Sequence, residues 1–202
     1  MLRLHDCLCS GNGYKVRLLL AQLGIPFERR EWDIDQGATR TPEFLRMNPN
    51  GRIPLLELGP GQYLAESDAI LFYLAEGTPF LPDDRWQRAE VLQWMFFEQY
   101  SHEPNIAVPR FWLTHHVALA DWQRAALEDK RTRGRAALDV METHLRARLY
   151  FVGERYSIAD IALYAYTHVA PEGGFDLGSL PAVCAWLDRV RAQPGHIPIT
   201  QG

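Results

Sequence analysis

The chain has 202 residues, of which 47% are apolar, and this is enough for a sizeable core and for one or two domains. Its net charge of −4 at pH 7 excludes a strongly basic nucleic-acid-binding protein, and no uncharged run reaches the roughly 18 residues that a membrane-spanning helix needs. The segment MLRLHDC is too charged for a signal peptide and the three cysteines make no disulfide framework, so we expect a soluble cytoplasmic protein without nucleic-acid or membrane partners.

The first 76 residues predict a small mixed sheet with helices on its faces. Short segments with strand character alternate with two segments whose apolar residues recur at helical spacing. The first strand–helix–strand unit should place its two strands parallel, and the next two strands should form a hairpin across Gly59-Pro60-Gly61. The predicted order, βαβ–ββα, is strand 2–7, helix 12–23, strand 26–33, strand 55–58, strand 62–65 and helix 66–76.

The composition changes at GTPFLPDD, residues 77–84, which holds two prolines and two aspartates and predicts a linker. Beyond it we find only helical patterns, so residues 85–202 predict an all-helical domain. Pro104 and Pro109 should interrupt the chain between its first helix and a second helical piece. The predicted helices are 86–100, a second piece to about 119, then 121–149, 156–166 and 179–192.

Ser10-Gly11-Asn12-Gly13 lies where the first strand runs into the first helix. The unpaired N–H groups and the dipole of a helix N-terminus favour a negative charge. Ser10 either caps its own helix or donates its hydroxyl proton to a thiolate or another anion. Cys7 and Cys9 are expected to fill space as small apolar residues, although Cys9 lies near the helix end, where thiol pKa values fall.

Two more polar groups lie where strands meet loops or helices. Pro54 of Arg52-Ile53-Pro54 stands at a strand start; it is an ordinary proline there or, with a cis bond, it turns the Ile53 backbone outwards to pair with an extended peptide. Glu66-Ser67 opens a helix and either caps it or binds the ammonium and carboxylate of an amino acid. Three such groups in one small domain favour one shared ligand.

Ser157-Ile158-Ala159-Asp160 has the spacing of a capping box, with aspartate in place of the usual Glu or Gln. We interpret Ser157 and Asp160 as a structural cap that begins a buried helix. The histidines lack the spacing of zinc ligands, so no metal site is expected.

Five segments, taken together, resemble the cytosolic glutathione S-transferases, most closely a bacterial, serine-type-like member, and the resemblance covers nearly the whole chain. It implies an α/β thioredoxin-like N-terminal domain, an all-α C-terminal helical domain, glutathione as co-substrate, no metal, a homodimer and a role in detoxification. The segments are SGNGYKVR (10–17), GIPFE (24–28), PEFLRMNPNGRIP (42–54), ESDAILFYL (66–74) and SIADIALY (157–164).

The resemblance also implies residue roles. Ser10 or its neighbour Asn12 would hold the glutathione sulfur, and the small residues around them would let the tripeptide approach the helix. The Ile53 backbone, ahead of a cis Pro54, would pair with the cysteinyl unit. The remaining glutathione-binding residues are Glu66 and Ser67 at the γ-glutamyl end, and Gln36, Arg40 and Arg52 in the loops.

The second domain would supply the rest of the site. The electrophile would lie against the stretch 100–116, and Glu103 is favoured over Glu98 and His102 as the residue that reaches the γ-glutamyl ammonium of a partner subunit. The activity is expected to be glutathione transfer to a hydrophobic electrophile; glutathione-dependent disulfide reduction and a non-catalytic binding or interaction role are the alternatives. The residues predicted for the electrophile site are Tyr100, Asn105, Phe111 and Trp112.

Overall fold

The computed structural model describes residues 1–115 and 118–202. It contains two compact units, the first formed by residues 1–77 with 194–202 and the second by residues 78–193. The described residues include no helix that is both long and apolar enough to cross a bilayer.

The first unit is a four-stranded mixed sheet with three helices, which confirms the predicted α/β class. The strand order is β2-β1-β3-β4; β1 and β2 are parallel, and the other two pairs are antiparallel. The elements are β1 (Leu2–Asp6), α1 (Gly11–Leu23), β2 (Phe27–Glu31), α2 (Pro42–Met47), β3 (Leu55–Gly59), β4 (Gln62–Ala65) and α3 (Ser67–Ala75).

Helix α2 was not predicted, because its six residues are too few to show a helical period. It begins at the N-cap Thr41, whose hydroxyl accepts the Phe44 N–H at 3.3 Å, and Pro42 opens its first turn. Its fully buried Phe44 packs with Trp32 and Leu55 into a core cluster under the sheet. Tertiary packing therefore stabilises a helix that is too short to be stable alone.

The second unit consists of helices, which confirms the all-α prediction. Its helices are α4 (Arg85–Phe97), α5 (Glu103–His115), α6 (Asp121–Leu145), α7 (Ile158–Thr167) and α8 (Pro181–Arg191). A π-helical turn, Glu98–His102, joins α4 to α5.

The predicted interruption at Pro104 and Pro109 is wrong. Pro104 is the second residue of α5 and directly follows the π-helical turn Glu98–His102, so its missing N–H falls where the regular α-helical hydrogen-bond pattern is already changed. Pro109 lies inside α5 and removes one hydrogen bond, but the buried side chains of Ile106 and Trp112 on either side of it hold the helix in the core. The backbone therefore stays helical from Arg85 to His115.

The last residues of the chain contact the first unit, whereas the division drawn from sequence assigns them to the helical domain. Arg17 donates to the carbonyl oxygens of Ile199, at 2.9 Å, and Gln201. Tyr14 donates to the Ile197 carbonyl at 2.7 Å. Residues 194–202 have no helical period and are fixed by these distant side chains, so a one-dimensional pattern did not locate them.

The cap of α7 lies deep in the second unit. Asp160 is fully buried and its carboxylate accepts from the Ser157 N–H at 2.9 Å, the Ser157 hydroxyl at 3.1 Å, the Phe151 N–H at 3.2 Å and the Trp186 Nε1–H at 2.9 Å. Burial raises the pKa of Asp160 to about 6, against the lowering effect of these hydrogen bonds. Asp160 thus ties the helix start to α8 and to the segment before α7.

Candidate active site at two helix N-termini

Ser10 caps α1, and this cap leaves its hydroxyl proton available. Its Oγ accepts the Gly13 N–H at 3.1 Å, and its own N–H donates to the Cys7 carbonyl at 2.9 Å. The side chain is half-buried, and the first turn of α1 holds no acidic residue. Because a hydroxyl accepts through a lone pair and donates through its proton, the capping role and the anion-binding role are compatible.

The N-termini of α1 and α3 meet at Asn12 and Ser67. The Ser67 hydroxyl donates to Asn12 Oδ1 at 3.4 Å. On the same face of α1, Lys15 donates to Ser67 Oγ at 3.3 Å and forms an ion pair with Asp68 at 3.1 Å. The N-termini of α1 and α3 therefore meet here, with Lys15 of α1 paired to Asp68 in the first turn of α3, and the N–H groups of the two helix ends suit a carboxylate or a thiolate.

Sequence reasoning missed Lys15 and Asp68. Lys15 is fully buried, and its side chain reaches the first turn of α3. The signal that could have identified it is its position three residues after Asn12, which puts both side chains on one helix face. The partner in α3 cannot be read from that spacing, because the contact joins residues 53 positions apart.

Glu66 precedes α3 in an unusual backbone conformation. Its φ of 68° and ψ of 115° lie in a region that non-glycine residues seldom adopt. Its side chain is exposed and makes no capping hydrogen bond to α3. The carboxylate of Glu66 is therefore presented to solvent beside Ser67.

The Ile53–Pro54 peptide bond is cis, as the resemblance implied. The preceding loop is held by the buried Asn48, whose Nδ2 donates to the Arg52 carbonyl at 2.8 Å. Ile53 is half-buried and packs against the Trp32, Phe44 and Leu55 cluster. Its side chain thus anchors the loop.

The three loop residues predicted to bind glutathione, Gln36, Arg40 and Arg52, are exposed. Arg40 donates to the Asn50 carbonyl at 3.0 Å, which fastens its loop to the segment before Ile53. Arg52 and Gln36 are exposed, and the Gln36 N–H donates to Asp33 Oδ1 at 3.1 Å within a turn. Arg40 is therefore tied by contacts to the segment that holds Arg52, and Gln36 lies in a separate turn.

A buried ion pair supports the loop that carries Ser10. Arg17 Nε donates to Asp6 Oδ2 at 2.8 Å, and its Nη2 donates to the Leu8 carbonyl at 2.7 Å. Burial raises the pKa of Asp6 to about 6, although Arg17 lowers it. A Cβ atom at Gly13 would lie 1.6 Å from Asp6 Oδ1. Gly13 therefore makes room for the Asp6 carboxylate.

The residues predicted for the electrophile site do not form one group. Tyr100 and Asn105 line a groove of about 300 Å³ in the second unit, together with Phe97, Ala136 and Val140. Trp112 is only 8% exposed and packs edge-to-face on Trp122, so it is an interior residue and its predicted contact with substrate is wrong.

Phe111 is half-buried and stacks on His115, with ring centroids 4.5 Å apart. It does not border the groove that holds Tyr100 and Asn105. The predicted set therefore splits into a groove pair, a stacked ring and a core residue.

The three residues considered for contact with a partner subunit differ in burial. Glu98 and His102 are fully buried, and His102 Nε2 lies 2.9 Å from Thr167 Oγ1. Neither of these two side chains is therefore exposed for contact with a partner subunit. Glu103 is half-buried at the start of α5, and it is the one of the three with solvent exposure. Within residues 1–115 and 118–202, no three His, Cys, Asp or Glu side chains are grouped to hold a metal ion.

Comparison with known proteins gives concordant results. Residues 2–76 match the family model for the glutathione S-transferase N-terminal domain, and residues 97–194 match that for the C-terminal domain. A possible glutathione S-transferase from Rhodopseudomonas palustris is 54% identical, with a TM-score of 0.97 over 100% of this chain and 91% of that chain.

Two further relatives bear on the ligand. The disulfide-bond oxidoreductase YfcG of Escherichia coli (strain K12) is 33% identical over 192 residues, which cover 91% of this chain and 87% of YfcG. The structure of Ure2p in complex with glutathione is 25% identical, with a TM-score of 0.86 over 100% of this chain and 93% of that chain. Both domain models together cover most of the chain, and the chain belongs to the glutathione S-transferase family.

Proposed function

We propose that this protein is a glutathione transferase that activates the glutathione thiol for attack on a hydrophobic electrophilic small molecule. The observation that carries the proposal is the meeting of two helix N-termini, with the Ser10 hydroxyl on one and the Asn12–Ser67 contact joining them. A tripeptide with two carboxylates and a thiol is the kind of anion that such a pair attracts.

Glutathione would lie across the first unit from α3 to α1. Its γ-glutamyl carboxylate would accept from Ser67 and its ammonium group would pair with the exposed Glu66. The cysteinyl backbone would pair with Ile53, next to the cis Pro54. The glycyl carboxylate would approach the loop residues, which are Gln36, Arg40 and Arg52.

The chemistry needs a thiolate near neutral pH. A thiol has an unperturbed pKa of about 8.5. A hydrogen bond from Ser10 or Asn12 to the sulfur stabilises the anion, and the α1 dipole adds to this, so the pKa of bound glutathione falls. The thiolate then forms a carbon–sulfur bond to the electrophile while the leaving group takes the displaced electron pair.

Glutathione-dependent disulfide reduction is the second candidate, and the specific observation in its favour is the resemblance to YfcG, which is named a disulfide-bond oxidoreductase. The same activated thiolate would attack a disulfide sulfur in place of carbon. A non-catalytic binding role is the third candidate, since Ure2p is also similar.

The proposal includes a cytoplasmic homodimer with a role in detoxification. Exposed apolar side chains lie in α4 and in the turn after it: Phe96 is 70% exposed and Tyr100, which lines the groove, is 87% exposed. Burying such a surface against a second copy is favourable. Glu103 lies on the same segment, and its carboxylate would complete the γ-glutamyl site of the partner.

The function is tested by two assays and one titration. Conjugation of an aromatic halide and reduction of hydroxyethyl disulfide, each with glutathione, separate the first two candidates. Calorimetric titration with glutathione should show weaker binding for Ser67→Ala and unchanged binding for Ser179→Ala, a serine in the second unit that accepts from Arg135. If the protein binds glutathione but shows neither conjugation nor disulfide reduction, only the non-catalytic binding role remains. If it does not bind glutathione, all three candidates are wrong.

The dimer is tested by light scattering with wild type and Tyr100→Glu. We expect a dimer for wild type and a monomer for Tyr100→Glu, because a charge would replace an apolar contact. In the dimer, Glu103→Gln should bind glutathione more weakly. A wild-type monomer of 23.2 kDa contradicts the dimer, and normal binding by Glu103→Gln contradicts the shared site.

A further inference from the structure

Cys7 and Cys9 lie in direct contact beside Ser10. Their sulfur atoms are 2.9 Å apart, and the intervening residue is Leu8. A covalent disulfide needs about 2.05 Å, so a small further approach is enough to join them. The sequence interpretation of these residues as simple space-filling does not explain why two thiols face each other at the start of α1.

The backbone around the pair is held on both sides. The Ser10 N–H closes a turn onto the Cys7 carbonyl at 2.9 Å. Between the cysteines, the Leu8 N–H donates to Glu31 at 3.1 Å and the Leu8 carbonyl accepts from Arg17 at 2.7 Å. The turn therefore presents both sulfurs to each other with little remaining conformational freedom.

The two thiols differ in exposure. Cys7 is 8% exposed, whereas Cys9 is more exposed and lies next to the N-terminus of α1. The hydrogen bond with Cys9 and burial raise the pKa of the Cys7 thiol. Cys9 is thus placed to meet a substrate first, and Cys7 is placed behind it as the resolving thiol.

We propose that Cys7 and Cys9 form a dithiol–disulfide redox centre that reduces small-molecule disulfides with the protein's own electrons. The centre uses sulfur from the chain, whereas the proposed transferase activity uses the sulfur of glutathione. Only the regeneration of the dithiol by glutathione rests on the proposed function.

The reaction balances in two exchanges. The Cys9 thiol loses its proton, and its thiolate attacks one sulfur of the disulfide RSSR; a Cys9–SR bond forms, and the RS⁻ that leaves takes up that proton. The Cys7 thiol then loses its proton, and its thiolate attacks the Cys9 sulfur; the Cys7–Cys9 bond forms, and the second RS⁻ leaves and takes up this proton. Two electrons and two protons pass from the dithiol to RSSR, which becomes two RSH molecules. Two glutathione molecules reverse the process and become glutathione disulfide.

The centre is tested in the absence of glutathione. The reduced, desalted Cys184→Ser protein retains only the pair in question, because Cys184 is the third cysteine of the chain. After treatment with hydroxyethyl disulfide, we expect the loss of both thiols and a mass lower by two hydrogen atoms, with no adduct. In the same background, Cys7→Ser should stop at a mixed disulfide on Cys9, and Cys9→Ser should keep its thiol.

Several results would overturn the proposal. One is a Cys184→Ser protein that keeps both thiols or carries a stable adduct, and this result needs no substitution at either cysteine of the pair. Another is a Cys7→Ser protein, folded by circular dichroism, that forms no adduct at Cys9. Ser67→Ala, which does not contact the cysteine pair, should oxidise like its parent but bind glutathione more weakly. Failure of the redox centre is therefore distinguishable from failure of the transferase function.

Discussion

Helices α1 and α7 both have a serine as N-cap residue, and their N-termini differ in whether an acidic side chain lies in the first turn. The N-cap of α7 is Ser157, and Asp160 in the first turn is fully buried among four hydrogen-bond donors. The N-cap of α1 is Ser10, which is half-buried, and the first turn of α1 holds no acid. The N-terminus of α7 is therefore satisfied by its own carboxylate, whereas that of α1 has no acidic residue in its first turn and, under the proposed function, would bind the glutathione thiolate.

A serine at the N-cap does not by itself show whether a helix N-terminus has a structural or a catalytic role. Ser10 and Ser157 are each the N-cap residue of their helix. The two N-termini differ in burial and in the presence of Asp160, whose carboxylate already interacts with the dipole of α7. Substitutions of Asp160 in α7, or of the hydrogen-bond donors near the N-terminus of α1, test this difference.

The largest effect is expected for Asp160→Ala. The change leaves several buried donors without an acceptor, so the free energy of unfolding should fall by about 3–5 kcal/mol. Glutathione affinity of the folded fraction should stay unchanged, because Asp160 lies in the second unit. Chemical denaturation and calorimetry measure the two quantities, with the exposed Asp139→Ala as the control that leaves stability nearly unchanged. Weaker glutathione binding by folded Asp160→Ala would refute a purely structural role.

Lys15→Met probes the cation that joins the two helices at the open site. It leaves Asp68 without its partner, so we expect a loss of about 3 kcal/mol of stability together with weaker glutathione binding, since Ser67 loses a donor. The double variant Lys15→Met/Asp68→Asn should recover much of the stability. If the double variant is as unstable as the single one, the ion pair is not the cause. Arg133→Met, in the exposed pair with Asp129, is the matched control.

Ser10→Ala should raise the pKa of the bound glutathione thiol by about one to two, since a charge-assisted hydrogen bond contributes roughly 1.5–3 kcal/mol. Ser10→Thr keeps the hydroxyl and should keep the lower pKa. Thiolate absorbance of the complex, titrated against pH, measures this value. A normal pKa in Ser10→Ala and a raised pKa in Asn12→Ala would transfer the donor role to Asn12.

The smallest effect is a pH dependence of the closed cap. Because the folded pKa of Asp160 is about 6, above the ordinary value for an aspartate, the folded state binds its proton more tightly and this contribution to stability is lost as pH rises through 6. The stability difference between wild type and Asp160→Asn, which cannot titrate, should therefore shift in favour of wild type by about 1 kcal/mol from pH 7 to pH 5. A shift in favour of Asp160→Asn over that range would show that the hydrogen bonds outweigh burial.

Much of the fold was predictable because it depends on local patterns. Apolar spacing located α1, and Gly24 ends it in the left-handed conformation. The positions of Ser10, Pro54, Glu66 and Ser67 followed from where strands give way to loops and helices. Helix α2 and the continuous helix through Pro109 were missed, because packing around Phe44 and Trp112 overrides weak local preference.

The contacts that form the candidate site depend on the tertiary structure. The Lys15–Ser67 and Lys15–Asp68 contacts join residues 52 and 53 positions apart, and Arg17 reaches Gln201 across 184 positions. Residue types and spacing determine which side chains can hydrogen-bond or carry charge. Which of them meet, and whether a helix end is buried with its own carboxylate or left open, depends on how the sheet and helices pack, because hydrogen bonds and ion pairs act only over a few ångströms.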